Sequence, residues 1–166
     1  VYLPDVANTL NNLGCFIVAD SGRRDEAEKL FKEALTIRRD LAKANPAVYL
    51  PHVAMTLHNL GLLVAADSCR CDEGEALYQE ALTTYRELVK ANPAMYRPYL
   101  AKTLSNLGAL VAADSGRRDE AEKLYQEALT IRRDLAKGNP YVGLHNLAIT
   151  LSNLGGLIVA DSGRRD

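Results

Sequence analysis

Thr9-Leu10-Asn11-Asn12-Leu13-Gly14 is the stretch whose reading decides the fold, because the chain repeats it. It returns as Thr56-Leu57-His58-Asn59-Leu60-Gly61, as Thr103-Leu104-Ser105-Asn106-Leu107-Gly108 and as Thr150-Leu151-Ser152-Asn153-Leu154-Gly155. Each copy follows the one before by 47 residues, from Leu13 to Leu60, Leu107 and Leu154. A fixed period of that size marks a stacked repeat array, in which each unit buries its apolar face on its neighbours.

Around the first copy, Val6, Leu10, Leu13 and Ile17 fall at the spacing of an amphipathic helix. This predicts a helix A over roughly residues 3–20, with Pro4 in the first turn, where its missing N–H would have no partner anyway. Ser21-Gly22-Arg23-Arg24 predicts a short turn, with Gly22 as a left-handed stop. Asp25-Glu26-Ala27-Glu28 reads as a capping box that opens helix B. That helix carries Ala27, Leu30, Phe31, Ala34, Ile37 and Leu41 on one face, with Arg38 nearby. Asn45-Pro46 ends it, because the residue before a proline is pushed out of the α region. The next helix A is expected to start near Pro51.

The plan predicts a single array over residues 1–166, with units 1–47, 48–94 and 95–141 and a closing helix A within 142–166. Short turns force antiparallel neighbours, so the expected fold is all-α: seven helices, three hairpins plus one closing helix. In the second unit Cys69 replaces the turn glycine, and Gly74 stands where the first unit has Ala27. A cysteine at positive φ would be strained, so that turn is expected to be rearranged. Asp166 falls where a fourth helix B would be capped, which is expected to leave Leu154 and Ile158 exposed.

Bulk composition narrows the function classes. Apolar residues make up 48% of the 166 and charged residues 25%, as expected of a folded globular chain. A net charge of −1 offers no basic footprint for nucleic acid or an anionic membrane. The apolar runs are read as too short to span a bilayer, and no signal-peptide pattern opens the chain. Starting on Val1 is what a piece of a longer protein would show. Cys15, Cys69 and Cys71 cannot all pair and do not occupy equivalent repeat positions, which predicts a reducing, intracellular setting.

Aligned on Asn-Leu-Gly, the unit resembles a tetratricopeptide repeat. Leu10, Leu13, Gly14 and Ile17 match the helix A signature, and Gly22, Ala27, Phe31 and Ala34 match the turn and helix B. The repeat is longer than the usual unit of about 34 residues, and Leu10-Asn11-Asn12-Leu13 with Ala34-Leu35-Thr36-Ile37-Arg38 looks most like the kinesin-light-chain type. The resemblance implies a right-handed α-solenoid whose helices A line a concave groove, where a peptide or protein segment docks.

The helical wheel separates two sides of helix A. Val6, Leu10, Leu13, Gly14 and Ile17 cluster as packing residues. Opposite them, the repeats disagree in chemistry while the framework holds. Asp5, His52, Tyr99 and Asn146 correspond, as do Asn8, Met55, Lys102 and Ile149. Cys15 and Leu62 share a third position, whose other copies are Ala109 and Gly156. Asn12, Asn59, Asn106 and Asn153 hold the same position in every copy. A side-chain amide offers donors and an acceptor, so these can pair with a peptide backbone or with a neighbouring helix. In the resembling family this position forms a ladder that holds the ligand backbone. Position 11 and its counterparts, His58 among them, are placed at the groove's edge, and His58 and Lys102 would meet polar or acidic groups. Arg38, Tyr85 and Arg132 sit near the apolar face of helix B, where long stems would snorkel over the next repeat.

Chemistry for catalysis is missing from the pattern. Cys69-Arg70-Cys71 lacks two further zinc ligands nearby, and His52 and His58 are six apart, off the one-face spacing. No nucleophile stands with a base and an orienting partner, so no enzyme activity, metal or cofactor is expected. The reading is a non-catalytic scaffold that binds a protein or peptide in the helix A groove. The alternative is a self-associating spacer that pairs through its terminal helices, within a larger signalling protein. RNA binding would demand a basic groove, which the charge balance does not suggest.

Overall fold

The structure is a computed structural model that describes residues 2–138 and 140–162, with side chains over 2–138, 146–157 and 159. Seven α-helices form among the described residues, with no strand between them: α1 Leu3–Ile17, α2 Arg24–Ala44, α3 Pro46–Val64, α4 Cys71–Ala91, α5 Pro93–Val111, α6 Arg118–Gly138 and α7 Pro140–Ser162. The chain is all-α, and α1, α2 and α3 pack in sequence, as do α5, α6 and α7. Val1–Leu88 and Val89–Asp166 are two compact units. The side chain of Ile158, and Asp166, lie outside the described residues.

Each odd-numbered helix is a helix A and each of α2, α4 and α6 a helix B. Their pairing is fixed by a glycine and an aromatic ring. A Cβ on Gly14 would stand 2.9 Å from the Phe31 ring, on Gly61 3.2 Å from Tyr78, and on Gly108 3.1 Å from Tyr125. The missing methyl lets the ring lie against the helix backbone, and Ala27, Ala34, Ala81, Ala121 and Ala128 are fully buried around these rings. Close packing of this kind makes the register specific.

Four local expectations are corrected. Helix α3 starts at Pro46, not near Pro51, and α5 likewise at Pro93. Pro46 takes the first helical position. Pro51, the sixth residue of that helix, forfeits the hydrogen bond to the carbonyl of Ala47 and crowds it, and the helix runs through it. Asn45 alone links α2 to α3, at φ −142° and ψ 81°, as a residue before proline prefers.

The A–B turn is a short 3₁₀ turn, Ser21–Arg23, repeated at Ser68–Arg70 and Ser115–Arg117. No described residue has a positive φ, so Gly22 is not left-handed and Cys69 is not strained. The Asp20, Asp67 and Asp114 carboxylates accept from the backbone N–H of Gly22, Cys69 and Gly116 at 3.0, 2.9 and 2.8 Å. These aspartates cap the turn, and the expected capping box at Asp25 is absent. Glu28 instead accepts two bonds from Arg70 of the next turn, at 2.6 and 2.8 Å, which staples α2 to the start of α4.

The apolar content of α3 also revises the membrane reading. Pro46–Val64 is long and apolar enough to cross a bilayer by length and composition, with mean hydropathy 1.3. Half of that stretch is buried, and a helix covered on two sides needs apolar residues nearly all round.

Candidate binding surface

In the unit Val1–Leu88 the stripe read from the wheel lies on the least buried side of each helix A. On α1, Asp5, Asn8, Asn12 and Cys15 are exposed. On α3, His52, Met55 and Asn59 are half-buried and Leu62 is exposed. The unit Val89–Asp166 presents Tyr99 and Lys102 exposed and Asn106 half-buried on α5, with Asn146, Ile149 and Asn153 exposed on α7. Period and face therefore agree with the wheel at these positions.

His58 does not belong to this stripe. It is only 5% exposed, and its ring meets Tyr78 edge-on with centroids 5.7 Å apart. Its counterparts Asn11 and Ser105 are buried as well. Position 11 thus packs towards helix B, one residue from the asparagine that stays accessible. The expectation of a groove-edge residue is corrected because 100° of rotation carries position 11 into the seam.

The constant asparagine makes contacts within the array. Asn59 Nδ2 donates to Asn11 Oδ1 at 3.5 Å and to Cys15 Sγ at 3.4 Å, which ties α3 to α1. Asn12 and Asn153 stay exposed.

Arg38 does not snorkel. It is 2% exposed, and its guanidinium is inserted between helices. Nη1 donates to the His52 carbonyl at 3.2 Å and to Thr56 Oγ1, while Nη2 donates to Asn8 Oδ1 at 2.9 Å. Arg132 repeats the arrangement on the Asn146 carbonyl at 2.7 Å and on Thr150 Oγ1. In both places the threonine hydroxyl also donates to the same carbonyl, at 2.9 and 3.0 Å. A planar fork with several fixed donors reaches these acceptors where a snorkelling ammonium would turn to water. Sequence reasoning missed this seat. Its signal was the threonine that opens every motif copy, with no role assigned, and an arginine standing 18 residues before two of them.

A cavity of about 220 Å³ opens beside Arg38, lined by Tyr2, Asp5, Asn8, Tyr49 and His52 together with Pro4, Ala7, Leu41 and Val48. Burial holds the Arg38 guanidinium below its usual range, though an arginine stays charged. Burial, and then the nearby Arg38 charge, push His52 below the ordinary histidine value, so it is neutral at pH 7. No three His, Cys, Asp or Glu side chains among the described residues gather as a metal would require.

Two family models, each described as a tetratricopeptide repeat, match the chain, one over residues 52–134 and one over residues 6–46. The second is of the kinesin-light-chain type. No curated protein matches the chain significantly. Repeats of this family mediate protein–protein interaction and are typically non-catalytic. With the helical hairpins, the glycine–aromatic seams and these matches in agreement, the chain belongs to the tetratricopeptide repeat family.

Proposed function

We propose that the chain is a non-catalytic scaffold that binds an extended peptide or protein segment along the accessible stripes of its helices A. The observation that carries this reading is chemical variety on a constant frame. Asp5, His52, Tyr99 and Asn146 share one accessible position, and Asn8, Met55, Lys102 and Ile149 share another. A surface that only solvated the fold would gain nothing from mixing Met55, Leu62 and Tyr99 with Lys102 at those positions. Asn12 and Asn153 are the exposed asparagines best suited to a ligand backbone, whereas Asn59 is already engaged with α1 and Asn106 is half-buried. Three cysteines outside any disulfide, at non-equivalent positions, favour a reducing, intracellular setting.

A peptide-display selection on the wild-type protein tests the reading. Selected peptides should lose about tenfold or more in affinity for Leu62→Asp and Tyr99→Asp variants, and retain it for Glu33→Lys on the outer face of α2. Equal affinity for all three would refute binding along the stripes. Self-association through the terminal helices is the competing reading, and a light-scattering mass that rises with concentration would favour it.

A further inference from the structure

Cys69-Arg70-Cys71 sets the second A–B turn apart from those on either side. The first and third repeats carry Gly22-Arg23-Arg24 and Gly116-Arg117-Arg118 there, so both thiols are additions to a turn that forms without them. The turn keeps its shape: Ser68–Arg70 is 3₁₀, Cys71 opens α4, and Asp67 Oδ1 accepts from the Cys69 N–H at 2.9 Å. Cys69 is exposed, Cys71 is half-buried, and neither is in a disulfide. The Cys71 thiol leans back over the turn and donates to the Ser68 carbonyl at 3.4 Å.

Two residues apart in a helical turn, these cysteines have Cα atoms about 5.5 Å apart, inside the roughly 4.4–6.8 Å that a disulfide spans. Their side chains leave the axis in nearly opposite directions. The sulfurs therefore meet only if a residue of the turn gives up its helical φ and ψ. The residue held between them is Arg70. It donates to Glu28 at 2.6 and 2.8 Å and to Glu73 at 2.9 and 2.7 Å, which ties α2 to the start of α4. Arg23, at the same place in the first repeat, bonds Glu26 of its own helix. Chemistry at the two thiols thus acts on a contact between helices.

We propose that Cys69 and Cys71 are a reversible thiol–disulfide site, whose reactant is a low-molecular-weight disulfide such as oxidised glutathione. The exposed Cys69 sulfur, as thiolate, attacks one sulfur of the small disulfide. That S–S bond breaks, and the departing thiolate takes up the proton that Cys69 gave. Cys71, its proton lost in turn, attacks the Cys69 sulfur of the mixed disulfide, and the second small thiolate leaves and is protonated. Two cysteines are oxidised, and one small disulfide is reduced to two thiols. The bridge draws Cys69 off the Asp67 cap and turns Arg70 away from Glu28. A bridge that strains its backbone is readily reduced, so excess thiol restores the turn. The site is separate from the accessible stripes proposed for peptide binding.

Trypsin tests the bridge directly, because it cuts after Arg70, between the two cysteines. After incubation of the protein with oxidised glutathione, the segment around Arg70 should be recovered in one piece, and in two after reduction. Amide hydrogen exchange at Cys69 and Arg70 should accelerate about tenfold or more on oxidation. Gly22, Arg23, Gly116 and Arg117 make the same backbone bonds and should not change. Cys69→Gly and Cys71→Arg each restore the residue of the first repeat, so both should fold, and neither should show the faster exchange. Two pieces before reduction, glutathione carried stably on Cys69, or a bond to Cys15 or to a second chain would overturn the proposal. So would a bridge that leaves the Cys69 and Arg70 amides as they were, since the turn would not have opened.

Discussion

Replacing Arg38 separates two accounts of a buried guanidinium. The group is charged, desolvated and without a carboxylate partner, and its three acceptors are Asn8 Oδ1, the His52 carbonyl and Thr56 Oγ1. None of these would be orphaned by its loss. The His52 carbonyl keeps the Thr56 hydroxyl at 2.9 Å, and Asn8 is exposed and can rehydrate. Bonds to a charged donor contribute about 1.5–3 kcal/mol, but desolvating an unpaired charge costs several kcal/mol. The polar contribution should therefore come close to cancelling. What remains is the stem. Arg38→Ala removes two buried methylenes, at about 0.8 kcal/mol each, and leaves a void that brings the total to about 2–3 kcal/mol. Arg38→Met keeps the stem volume without the charge and should cost under about 1 kcal/mol. Urea denaturation followed by far-UV circular dichroism gives both values, provided the slope is unchanged between variants. Equal destabilisation by Ala and Met would refute the reasoning and assign the energy to the hydrogen bonds. Tyr85, buried at the equivalent position, shows that the fold tolerates an uncharged side chain there.

Two further outcomes follow from particular contacts. Gly74→Ala should destabilise by about 1–3 kcal/mol, because the new Cβ would stand 2.8 Å from Ala65 Cβ and 3.0 Å from its backbone. Gly155→Ala, with nothing within 4 Å, should stabilise by about 0.5–1 kcal/mol; thermal unfolding of the pair checks the contrast in sign. The hydrogen bonds from Arg70, more than those from Lys32, hold the Glu28 carboxyl down at about 2 from its ordinary 4.5. Its folded value lies below its unfolded one, so its contribution is complete above pH 4.5 and is lost as the pH falls through about 2. Glu28→Gln should thus cost more stability at pH 7 than at pH 2, and an equal cost at both would count against the staple.

The sequence by itself determined the repeat count, the order of seven helices and the accessible stripe from Asp5 to Asn153. Each is written in local spacing, and a helix of given pitch turns spacing into a face. It also misled in instructive places. Gly22 suggested a left-handed turn, yet Asp20 draws the chain into a 3₁₀ turn that Cys69 adopts equally well. Pro51 suggested a helix start, although Pro46 had already begun the helix. The tertiary structure alone decided which packing faces are filled. Leu13 and Leu60 are the same residue in the same motif, one 41% exposed and the other 2%. Their periodicity is identical, and the difference lies in whether a neighbouring helix arrives from elsewhere in the chain. Arg38 and His58 escaped for that reason too, because burial is set by contacts 14 to 20 residues away, which no local pattern records.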